Sequence, residues 1–371
     1  MKKWLPAAAF AFLLAAGSVP ARAGLTIIPT FGPRIRQMRD ASAIEASIDQ
    51  AIATLDSYIS NPITVKIFFG YSSTGLGSSL TATGNLAYST YLSDLENNPN
   101  PSADDQTALA SLPPGPNTGI NNNSYVALSA ALFTALGHPI KARALLAETG
   151  GFDSVIALNL GIMNISRSGP QNPNDYDLES VATHEMDEAL GIGGDGSALY
   201  QPGNIEPANL PSTGIGPLDL YRYSAPGVRS FTYDPNATAY FSIDGGVKRL
   251  VAFNQDGAGG ADFGDWASAK PQVQDAFGTP GTAPNIGPNE LIALDVVGYT
   301  LTTSGLSTEA VTPAIVTAQD IPFQSIPEPQ PVLSILLAFT FLPIIRGPYF
   351  KSLCKKIAVP TIRQVTSSPI R

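Results

Sequence analysis

Apolar residues in the segment 41–59 recur at Ile44, Ile48, Ala51, Ile52, Leu55 and Ile59, a spacing that predicts a helix with one face for packing on a sheet. The alternating, β-rich run 63–69 predicts a strand directly after it, and the Gly and Ser cluster at 70–79 predicts a turn. A helix is expected near 87–95, then a polar loop holding Pro99, Pro101, Pro113, Pro114 and Pro116, then another helix around 125–136. His138, before Pro139 and after an Ala-rich stretch, reads as a helix C-terminal residue beside the last carbonyls. The run DSVIALNLGIMNI at 153–165 predicts a strand with a bulge at Gly161. Turn and N-cap residues at 172–177 start a further helix, Glu179 complements its dipole, and Gly191 ends it.

That last helix carries the candidate chemistry, in the sequence THEMDEALG at 183–191. Residues four apart share a helix face, so His184 and Glu188 project together, with Glu185 beside them. In the zincin pattern H-E-x-x-H, side chains at i and i+4 hold Zn2+ and the intervening Glu is the general base acting on water at the metal. Here the second ligand position is Glu188, which can bind zinc through oxygen but adds negative charge and weakens its Lewis acidity. With His138 and His184 the only histidines, a three-His site is excluded. The Gly191 turn leads to Gly194, which has no side chain to ligate, and to Asp195, a candidate third ligand.

The ends of the chain change the picture. Lys2 and Lys3, an apolar run and Ala21-Arg22-Ala23 predict a cleaved secretory leader over 1–23. A Pro-rich linker at 306–330 leads to a second apolar run, 332–345, interrupted by Pro343 and followed by Arg346, Lys351, Lys355, Lys356, Arg363 and Arg371. At about 14 residues the run is short for a transmembrane helix. With leader and tail removed, twelve Lys and Arg face 29 Asp and Glu, about −17, which argues against nucleic acid as a partner and fits an exported protein. The only cysteine, Cys354, lies in the tail, so no disulfide framework exists.

Pro327-Glu328-Pro329, an apolar segment and a basic cluster in that order resemble the PEP-CTERM sorting signal of diderm bacteria. The resemblance implies export to the cell envelope or beyond, transient inner-membrane anchoring at 331–371 and processing by an exosortase-type enzyme; the positive-inside rule gives the same orientation. The tail runs about 25 residues past Arg346, longer than such signals.

The stretches DYDLESVATHEMDEALG, PLDLYRYSAPG (217–227), YFSIDGG (240–246), GADFGDWAS (260–268) and ELIALDVVGY (290–299) together resemble a family of secreted bacterial metzincin-like metalloproteases. That resemblance implies an α+β zincin-like domain over 24–305 with a twisted mixed sheet, an active-site helix at about 177–190 and a loop-rich C-terminal subdomain. The strand at 153–165 would be the sheet edge along the cleft, receiving a peptide or protein substrate. Family members with an intact motif carry a His before the Trp of GDWA, which puts the third ligand at Asp265 beside His184 and Glu188, with Asp195 as the alternative. Zinc is the expected ion, with Mn2+ or Ca2+ favoured if oxygen ligands dominate. Asp219 and Tyr223 are either supporting partners of the site or packing residues, Asp244-Gly245-Gly246 is a turn, and Trp266 is a core aromatic. The expected activity is peptide-bond hydrolysis with Glu185 as base; the alternative is a non-catalytic exported surface or matrix protein on a degenerate metzincin scaffold.

Overall fold

The computed structural model describes residues 24–199, 214–257 and 261–309. The predicted leader and the apolar run and basic tail at 331–371 lie outside them. Among the described residues no helix is long and apolar enough to cross a membrane.

The chain opens with β1 (Thr26–Phe31), a short α1 (Pro33–Arg36) and the long α2 (Ala41–Tyr58), whose buried face is Ile44, Ile48, Ala51, Ile52 and Leu55. Next come β2 (Thr64–Tyr71), β3 (Gly77–Thr81), β4 (Thr83–Ala87), α3 (Tyr88–Glu96), α4 (Ala103–Ser111), β5 (Tyr125–Ser129), α5 (Ala130–Ala135) and α6 (Pro139–Leu145). The middle of the chain holds β6 (Ser154–Leu158), β7 (Met163–Asn164), β8 (Tyr176–Asp177) and α7 (Leu178–Leu190). Short strands β9 (Arg222–Ala225), β10 (Val228–Arg229), β11 (Tyr240–Phe241) and β12 (Val251–Ala252) precede α8 (Pro288–Val297) and α9 (Thr303–Glu309).

The architecture is α+β. The main sheet has the order β1-β2-β6-β3, parallel from β1 through β6, with β3 antiparallel to β6 in the register Gly77↔Leu158 to Thr81↔Ser154. Helices α2 and α7 pack against each other, α2 also against β1 and α7 against β3 and β6. The C-terminal part is loop-rich, with a small sheet β10-β9-β11-β12. Its core centres on Trp266, stacked on Phe241 at 5.5 Å and tilted against Phe253 at 5.1 Å.

Several expectations are corrected. The strand within 153–165 is interior to the sheet, and the edge is β3, whose first three residues fall in the stretch predicted as a turn. Gly161 lies in a 3-10 turn, Leu160–Ile162, and not in a bulge. The segment 125–136 is half strand: Ser129 breaks it, its side chain accepting from Leu132 N at 3.1 Å and so starting α5. Helix α4 forms inside the Pro-rich loop because Ser102 and Asp105 make a reciprocal capping box. The backbone N–H of His138 closes α5 on Phe133 O at 2.8 Å, but the residue also stands at the N-cap position of α6 with Nε2 2.7 Å from Asp94. Helix α9 packs on α2 and α8.

Candidate metal centre

Asp177 caps α7, its side chain accepting from Ser180 N at 2.8 Å, and Arg167 holds that carboxylate from both sides at 2.7–3.1 Å. At the other end Gly191 adopts φ 98, a left-handed cap that L side chains avoid, and the chain reverses into the 3-10 turn Gly193–Gly196. The reversal aims Gly194 N at Glu188 Oε1, 3.1 Å away.

His184, Glu188 and Asp265 meet in one buried group whose potential ligand atoms all lie within 4.8 Å of one another, a group that could hold a metal ion. His184 Nε2 stands 3.8 Å from Glu188 Oε1 and 3.8 Å from Asp265 Oδ2. Its Nδ1 lies 2.9 Å from Val273 O, an acceptor only, so Nδ1 carries a hydrogen and Nε2 is the atom presented to the carboxylates. Asp265 Oδ2 is buried and has no hydrogen-bond partner. The donor set therefore fits a divalent cation: an imidazole nitrogen in the ligating orientation and two carboxylates, one of them with an orphaned oxygen. An ion with bonds of about 2.0–2.2 Å requires these atoms to close by a few tenths of an ångström.

Asp265 arrives on a loop pinned by the buried Arg222, which donates to Phe263 O at 2.5 Å and Asn254 O at 3.2 Å. Asp195 stands beside the group rather than in it, half-buried, with its Oδ2 3.2 Å from the Ser79 hydroxyl that also reaches Glu188 Oε2 at 2.7 Å. Two neighbours escaped the sequence reading. Asp262 is close enough that a Cβ on Gly194 would stand 2.6 Å from its Oδ2 and 2.5 Å from Glu188 Oε1. Gln274 donates through Nε2 to Asp265 Oδ1 at 2.9 Å, and that nitrogen lies 3.3 Å from His184 Nε2. Neither residue type nor position sets them apart in the sequence, because only loop geometry brings them to α7.

Glu185 is 1 % exposed, and neither of its carboxylate oxygens has a hydrogen-bond partner. It lies under the edge strand at Gly77, where a Cβ would come within 2.2 Å of Oε1, so only glycine leaves that volume free. A cleft beside Glu185 and His184 is lined by Leu76, Tyr176, Val181 and Phe277.

So many carboxylates in one dry place shift each other. Burial, then the charges of Glu188 and Asp265, push Glu185 well above the usual range. Burial raises Asp265 to about 7 against the opposing His184, and raises Asp195 to about 7 with help from Glu188. Asp262 rises well above its usual value for the same reasons, burial first. Burial alone would lower His184, but Asp265 and Glu188 outweigh it and hold the imidazole above its ordinary value.

Asp219 is not at the metal group: it ties loops together by accepting from Ser197 Oγ, Ala198 N and Gly216 N at 2.6–2.8 Å. Tyr223 packs in the C-terminal sheet with Arg229 over its ring at 5.1 Å. Helix α8, carrying most of ELIALDVVGY, is buried, and the following Tyr299 hydroxyl donates to Leu190 O at 2.8 Å, anchoring the end of α7.

Also on α7, both Asp187 oxygens are buried without a hydrogen-bond partner, and burial, then Glu290 and Glu188, push its pKa well up. A raised folded-state pKa means that stability is lost as pH rises past the unfolded value of 3.8. Asp187→Asn is therefore expected to raise the thermal midpoint at about pH 8 and to leave it nearly unchanged at about pH 4. A lower midpoint in the variant at the higher pH would contradict this.

Comparison with known proteins finds no matching family model, no matching curated protein and no matching solved structure.

Proposed function

We propose that this protein is an exported metal-dependent hydrolase of metzincin-like fold that cleaves peptide bonds. The observation that carries the reading is the buried His184, Glu188 and Asp265 group with the unpartnered Glu185 carboxylate on the same helix. An antiparallel edge strand over that helix and a left-handed glycine turn after it are further support.

A bound divalent ion supplies Lewis-acid polarisation of the scissile carbonyl and eases ionisation of water. His184, Glu188 and Asp265 would hold it, with Val273 O fixing the imidazole and Ser79 and Gly194 N fixing Glu188. Glu185 takes the proton of the attacking water and passes it to the leaving amine, a role suited to a carboxylate whose proton affinity burial has raised well above the usual range. An extended peptide adds to β3, the edge strand of the main sheet among the described residues, its main chain pairing with the strand and one side chain entering the cleft by Leu76 and Phe277. Export, transient anchoring and processing by an exosortase-type enzyme belong to the same proposal, from the chain ends.

A second reading, a non-catalytic surface or matrix protein on this scaffold, is favoured by one observation: Glu185 is 1 % exposed beneath Gly77. Incubation with denatured casein separates the two. The hydrolase reading expects peptide release that a chelator stops and added Zn2+ or Mn2+ restores; no release from the metal-loaded protein would contradict it and leave the binding role.

A further inference from the structure

Resting on the metal-centre reading, one side chain is unexplained by the three ligands. Gln274 is fully buried, and its Oε1 has no hydrogen-bond partner. A buried amide oxygen without a partner is destabilising, because it has given up its water and gained nothing in return. The same amide reaches into the group: Nε2 lies 2.9 Å from Asp265 Oδ1 and 3.3 Å from His184 Nε2. Its backbone is fixed on both sides, Gln274 N donating to Glu290 Oε1 at 3.2 Å and Gln274 O accepting from Trp266 N at 2.8 Å. The preceding carbonyl, Val273 O, is the one that orients His184.

We propose that Gln274 is a fourth protein ligand of the metal centre, binding the ion through its amide oxygen. A half-turn of the terminal amide exchanges Oε1 and Nε2 in nearly the same volume. The amide N–H donors face Asp265, as a positive dipole end should. With an ion in place the N–H donors are repelled and Oε1 turns inward, which gives the orphaned oxygen its partner. The resulting donor set is one imidazole nitrogen, two carboxylates and one amide oxygen, which suits a hard ion such as Mn2+ better than a thiolate- or histidine-rich site would.

The test is calorimetric titration of the native protein, Gln274→Leu and Gln274→Glu with MnCl2, with ZnCl2 in parallel. Gln274→Leu is expected to bind Mn2+ about tenfold or more weakly. Gln274→Glu, which offers a carboxylate oxygen at the same reach, is expected to bind at least as tightly as the native protein. If Gln274 served only to donate to Asp265, Glu would lose that bond and weaken binding as Leu does; that result overturns the proposal. Native-like or tighter binding by Gln274→Leu overturns it as well, the tighter case marking the amide as a competitor of the ion. If Gln274→Leu fails to fold, the Glu variant decides alone. Native binding with an unaffected Leu variant sinks only the role of Gln274, whereas a native protein that binds neither ion sinks the metal centre with it.

Discussion

Glu185→Gln is expected to lower peptide-bond cleavage by about 10²–10⁴-fold while leaving metal content at the native level. The amide matches the carboxylate in shape, so it fits under Gly77, where no larger residue leaves the volume open. It cannot accept a proton, and Glu185 is not one of the three grouped ligands. Removing a buried, repelled carboxylate also relieves the metal-free fold, so its thermal midpoint rises as activity falls. Steady-state cleavage together with metal content checks both halves; unchanged cleavage would remove Glu185 from the chemistry, and lost metal would make it a ligand instead.

The second large effect is an inverted pH dependence. Acid usually unfolds proteins by protonating carboxylates that the native state holds ionised. Here the native state raises them: Asp265, Asp195 and Asp275 to about 7, and Asp295, paired against Asp105, to about 8, all from 3.8. Burial is the first cause in each case. Between the two values the folded chain binds more protons than the unfolded chain, so stability falls as pH rises. The metal-free protein is therefore expected to be most stable near pH 4 and to lose stability steadily up to about pH 8. At the grouped ligands, metal competes with the proton on Asp265 for its carboxylate, so added ion should stabilise more at neutral pH than in acid. Thermal unfolding across that range with and without metal checks this; a metal-free protein that gains stability from acid to neutral pH would contradict the shifts.

What the sequence makes legible follows physical locality. Helix α2 could be read because it buries a periodic face, and α7, buried almost all round, because it has local start and stop signals in Asp177 and Gly191. Strand β3, GSSLT, could not, since its small polar residues read as a turn and only pairing with β6 makes it extended. Alternation within 125–129 is short enough to merge with the helix that follows, the usual ambiguity of brief apolar runs. In the site, His184, Glu185 and Glu188 share one helix and are visible from spacing alone. Asp265 came only from a resemblance, and Asp262, Ser79 and Gln274 converge through loops and an edge strand from distant parts of the chain, which no local pattern records.

The central claim is that this carboxylate-rich group binds a metal ion through Glu188. Elemental mass spectrometry of the purified native protein and Glu188→Ala, each loaded with zinc or manganese and desalted, tests it most directly. The account predicts about one ion per native chain and a large loss in the variant, because a structural or catalytic ion rarely survives removal of a ligand. No stoichiometric metal in the native protein, or equal metal in both, would contradict it.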